Sequence, residues 1–134
     1  MATRASGAFE VTLTPRAMDD QAEGGPLGRM GIDKRFHGEL EATSQGEMLT
    51  AFTGVKGSAG YVAIERVTGT LHGRGGSFIL QHNGIMDRGA PRLTIAVVPD
   101  SGTDGLAGLA GTMTIDIDDG KHSYGFEYTI GETP

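Results

Sequence analysis

Apolar and polar residues alternate along most of this chain, and the alternation locates its strands. In residues 7–14, Phe9, Val11 and Leu13 alternate with Ala8, Glu10 and Thr12, the period of two of a half-buried strand. The spacing predicts a second strand over 29–43, with Ile32, Lys34, Phe36 and Leu40 on one face, and Gly31 and Gly38 weigh against a helix there. Gln45-Gly46 reads as the turn into a third strand, 47–53. Strands four and five, 60–68 and 77–83, are joined by a glycine-punctuated link. A sixth covers 92–98, and one helical turn is placed within 103–109. In 111–117, Met113, Ile115 and Ile117 alternate with Thr112, Thr114 and Asp116, and Asp119-Gly120 supplies a hairpin turn into the last strand, 122–130. Residues 15–28 are too polar and too broken to pack, and read as a long mobile loop.

About eight strands with no substantial helix to cover a sheet predict an all-β fold, a single antiparallel closed barrel. Several strands carry two apolar faces: Tyr61, Ala63 and Val67 against Val62 and Ile64, then Ile79 against Phe78 and Leu80. One face fills the interior, and the other must meet something dry. A second copy of the barrel is the economical candidate, so a homo-oligomer is expected.

Composition narrows the classes. A chain of 134 residues suits one domain, 1–134. Its 23 glycines are scattered between apolar runs and mark turns and bulges rather than a repeat. The net charge is −6 with no cluster of Lys or Arg, which argues against nucleic acid and against an anionic membrane surface as partners. The absence of cysteine excludes disulfides, thiolate metal sites and a Cys nucleophile. The N-terminal segment lacks an apolar signal-peptide core and no run approaches a membrane span, so a soluble cytoplasmic protein is expected.

Four blocks carry a family resemblance: GSAGYVAIERVTG (57–69), GSFILQHNGIM (76–86), VVPDSGTDGLAGLAG (97–111) and HSYGFEYTI (122–130). In this order they resemble the DUF3224 family of small bacterial proteins of unknown function, over about Gly7 to Ile130. The resemblance implies a barrel similar to that of allene oxide cyclase, a fold in which an apolar ligand occupies the barrel. It implies little about chemistry, because fold does not fix function.

Among candidate chemical groups, Glu65 stands out, since its neighbours along its own face of the strand are apolar. A carboxylate there is costly unless paired or protonated. Arg66 points the other way, so partners must come from Lys34, Arg35, Gln81, His82, Tyr124 or Tyr128. Functionally, Glu65 is a candidate catalytic acid/base; structurally, it is a buried ion pair that fixes strand register. Tyr124, Phe126 and Tyr128 form an aromatic stripe that suits either plain core or a cavity wall. The four histidines show no local ligand pair, so no metal and no cofactor is expected. The acidic run 116–120 and the glycines at 73–76 fit turns better than a calcium or dinucleotide loop.

Three functions are compatible with this pattern. A binding module would hold a small apolar ligand among Tyr61, Ile79, Gln81, Tyr124 and Phe126. An enzyme would use Glu65 for isomerase-like or, less simply, hydrolytic chemistry, and a filled barrel would act only by assembly.

Overall fold

Short reversals set the strand order. His72-Gly73, Arg88-Gly89 and Asp119-Gly120 each place two successive residues at positive φ (46° and 80°, 47° and 91°, 52° and 76°), as a type I′ hairpin turn requires. The computed structural model describes residues 2–16 and 26–131. They form eight strands: β1 Thr3–Arg16, β2 Leu27–Phe36, β3 Leu40–Phe52, β4 Ala59–Leu71, β5 Arg74–Asp87, β6 Ala90–Val97, β7 Leu109–Asp118 and β8 Lys121–Ile130. Each strand pairs antiparallel with the next, and β8 returns to β1 to close the barrel.

Several boundaries differ from the sequence reading. The predicted second strand is divided by a reversal at 37–39, where Gly38 has φ 105°. Gln45-Gly46 is no turn but lies inside β3, with Gly46 opposite Glu65 and Ile32. Gly46 is needed for close approach: a Cβ there would stand 2.6 Å from the Glu65 Cα. The predicted loop 15–28 also shrinks at both ends, since Pro15 and Arg16 belong to β1 and Leu27 and Gly28 to β2. Its middle, 17–25, lies outside the described residues. The helical turn is a short 3-10 helix, Asp104–Leu106.

The barrel is filled at one end. Phe36, Leu40, Val67, Leu71, Phe78, Leu80, Leu106 and Phe126 are fully buried, and the Phe78 and Phe126 rings stack at 5.8 Å. The loop between β6 and β7 carries Leu106 into this core and runs along the start of β5. There Ile79 N–H donates to Ser101 Oγ (3.0 Å) and Thr103 N–H to the Ser77 carbonyl (2.9 Å). In return, β6 and β7 pair at two positions only, Ile95 with Met113 and Ala96 with Thr112, against thirteen for β4 and β5.

The outer face of β3 to β5 keeps its apolar character. Leu49, Val62, Ile64 and Ile85 are each about half exposed, and Leu49 stands directly across from Val62. The exposed large apolar side chains on the strands gather toward the other end of the barrel, where inward Leu13, Phe52, Met86, Leu93 and Ile117 surround a mouth.

Candidate functional site

Below that mouth the inner wall turns polar. Glu65, inward on β4 between Ala63 and Val67, is completely buried. Lys34, inward on β2 between Ile32 and Phe36, brings its ammonium 3.0 Å from Glu65 Oε2 and donates to Oε1 at 3.3 Å. The ammonium also lies 5.4 Å and 5.8 Å from the Phe9 and Phe36 ring centroids, where aromatic faces stabilise a desolvated cation. His82, inward on β5, has Nε2 3.7 Å from Glu65 Oε1 and Nδ1 3.2 Å from the Tyr61 hydroxyl.

Burial is the largest single influence on Glu65 and pushes its pKa up, but His82 and Lys34 together outweigh it. The result lies below the ordinary value, so Glu65 is a carboxylate at neutral pH. At 3.7 Å the His82 contribution is one of charge and dipole rather than of a formed hydrogen bond. Burial, and then the negative charge of Glu65, push the Tyr61 hydroxyl upward, so Tyr61 stays protonated. A second series with the same order of groups lies at the filled end: the Tyr128 hydroxyl meets His72 Nδ1, and His72 Nε2 meets Glu39 Oε2 at 3.0 Å. Glu39 is held below its ordinary value by its hydrogen bonds to His72 and the Ser6 N–H.

The Tyr61 series adjoins an open space within the barrel. A cup of about 390 Å³ opens at the mouth, lined by Leu13, Met30, Met48, Thr50, Tyr61, Met86 and Leu93 among others. Tyr61 lies across Gly84 on β5, where a Cβ would stand 2.3 Å from a ring carbon. Thr50, directly opposite Tyr61 on β3, is buried with its hydroxyl unpaired. A larger groove of about 720 Å³ lies mostly on the outer face beside Arg29, Glu47, Val62, Ile64 and Gln81, away from the buried charges.

The sequence reading is thus redistributed. Glu65 faces inward with Lys34 and His82 as its partners, and Tyr61 lines the cup. Ile79 and Gln81 belong to the opposite face of β5, because the inward positions are Phe78, Leu80 and His82. Tyr124 and Phe126 face inward but lie in the filled half: the Leu40 N–H donates to the Tyr124 hydroxyl, which donates to the His37 carbonyl. The methionines of the cup were not singled out from sequence. Their signal is parity, since Met30 and Met48 share faces with Ile32 and Thr50, and Met86 with Leu80 and His82. Among the described residues no three His, Asp or Glu gather as a metal site would need, and no helix is long and apolar enough to cross a membrane.

A model of the DUF3224 family, "Protein of unknown function", matches residues 5–128. The chain belongs to the DUF3224 family. A crystal structure of a DUF3224 protein of unknown function from Shewanella oneidensis MR-1 is similar at 55% identity and a TM-score of 0.93, over 98% of this chain and 100% of that one. No curated protein matches the chain.

Proposed function

We propose that this DUF3224 barrel is a cytoplasmic binding module that takes a small apolar or lipid-like molecule into the cup at its open mouth. The observation that carries the reading is the unequal filling of the interior. One half is packed solid by aromatic and leucine side chains, while the other leaves about 390 Å³ between apolar walls above buried polar groups. Met30, Met48 and Met86 are unbranched and polarisable, so the walls adapt to guests of differing shape. Native mass spectrometry before and after denaturation tests the reading. Bound mass that disappears on denaturation, and that a cup-filling Met48→Trp variant no longer takes up, supports it; bare chains that take up no apolar molecule on challenge overturn it.

A second reading, acid/base chemistry on the bound molecule, is favoured by the ordered Tyr61, His82, Glu65 series. In that reading Glu65 orients and polarises His82, and Tyr61 is the group that meets the substrate.

We propose further that the barrel associates with a second copy of itself through the outer face of β3 to β5. That face carries its own charge complement, Arg29 donating to Glu47 at 2.8 Å beside Leu49 and Ile64. A two-fold axis would set each sign against the other across an apolar centre.

A further inference from the structure

Thr50 stands at a place in the cup wall that both of its cross-strand neighbours leave unfilled. On β2 its direct partner is Gly28, which has no side chain, and a Cβ there would stand 2.6 Å from Thr50 Oγ1. On β4 its partner is Tyr61, whose ring leans the other way, over Gly84 of β5. The hydroxyl is left beside bare backbone. It has no hydrogen-bond partner, although the residue is only 8% exposed.

A buried hydroxyl without a partner works against folding, because water satisfies it in the unfolded chain. Valine has the same branched shape without that cost, so the position keeps a polar group that the fold itself does not use. The other polar groups of the cup are already served. Tyr61 meets His82 at 3.2 Å, and Arg92, the charged side chain among the lining residues, is exposed to solvent. A turn of χ1 from one staggered position to the next carries the Thr50 hydroxyl from Gly28 toward the cup. There it can donate one hydrogen bond and accept others, so a carbonyl and a hydroxyl suit it equally. We infer that Thr50 is the polar anchor of the cup, and that the molecules taken up are apolar bodies carrying a hydroxyl or carbonyl that pairs with its hydroxyl. The inference rests on the cup reading above.

Fluorescence titration of the full chain with naphthalene, naphthol and acetonaphthone tests it, since the three share one apolar body and carry no polar group, a hydroxyl and a carbonyl. Each is compared between wild type and Thr50→Val, so that differences in their hydration cancel. Thr50→Val is expected to weaken naphthol and acetonaphthone about tenfold, the size of one hydrogen bond, and to leave naphthalene within about twofold. Without a guest, the same variant is expected to unfold at a higher urea concentration than wild type, because an unpaired buried hydroxyl has gone; a threonine bonded within the fold would shift the midpoint the other way. Tyr61→Phe removes the neighbouring hydroxyl and is expected to keep both polar molecules within about twofold of wild type. Equal losses for all three molecules, no loss for the polar pair, a lower urea midpoint in Thr50→Val, or a tenfold loss in Tyr61→Phe would each overturn the inference and leave the cup as a binding site. Binding of none of the three to wild type would overturn the cup reading and this inference with it.

Discussion

Tyr61 occupies the space that a side chain at residue 84 would need: the ring of one strand lies against the bare backbone of Gly84, its direct partner on the next. The position of the hydroxyl beside His82 depends on this contact. Gly84→Ala is expected to push the ring aside, costing about 1–3 kcal/mol as overpacking does. The loss would register in urea unfolding, together with a change in the His82 ring signals by NMR.

Lys34 and Glu65 illustrate how a buried pair responds to losing one member. Lys34→Met strands a carboxylate that is completely shielded from solvent, and a loss of about 3–5 kcal/mol is expected. The double variant Lys34→Met/Glu65→Leu removes both charges and is expected to regain most of that stability. A double-mutant cycle from chemical denaturation reads the coupling directly.

The same carboxylate ties stability to pH. The folded-state pKa of Glu65 lies below its unfolded value near 4.5, so its contribution is fully present above that value and is lost as pH falls through the folded pKa. Between pH 7 and pH 3, wild type is therefore expected to lose more stability than Glu65→Gln. Comparing the two slopes cancels the other carboxylates, and parallel slopes would contradict the assignment.

The outer face makes a separate prediction. Ile64→Asp places a charge at the centre of the exposed apolar patch, away from the core. Folding stability is expected to change by only about 0.5 kcal/mol, while the mass measured by light scattering falls from that of an assembly to that of one chain. A wild-type chain that is already single would sink the self-association proposal.

Leu106 plugs the filled end from a loop rather than from a strand and is completely buried. Leu106→Ala is expected to destabilise by about 2–5 kcal/mol in thermal or urea unfolding. Binding in the cup, at the other end, is expected to survive.

How far the sequence reveals this arrangement depends on whether a strand has one apolar face or two. In β7 the alternation of Met113 and Ile115 with threonines leaves one choice of inward face, and the Asp119-Gly120 turn fixes its partner. In β5, Phe78, Ile79 and Leu80 are all apolar, so parity is ambiguous, and only the pairing of Ala63 with His82 settles that even-numbered residues point inward. Ile79 looks like core because the loop at 98–103 covers it from outside. The glycines mislead for a related reason: Gly38 turns the chain, whereas Gly46 makes room for Glu65. Nothing local distinguishes a glycine kept for its dihedral angles from one kept for the space it leaves. Lys34 was legible as an inward position, but its partnership with Glu65 spans β2 to β4 and needs the closed barrel.

The two-position contact between β6 and β7 makes that seam the least paired part of the barrel wall. Toward the mouth from Ile95 and Met113, no register pair joins the strands among the described residues, and continuing the register sets Leu93 across from Ile115. Backbone groups along this seam lack the continuous ladder that joins β4 to β5, so the wall opens there more readily than elsewhere. Amide hydrogens of β6 should then exchange with solvent faster than those of β4.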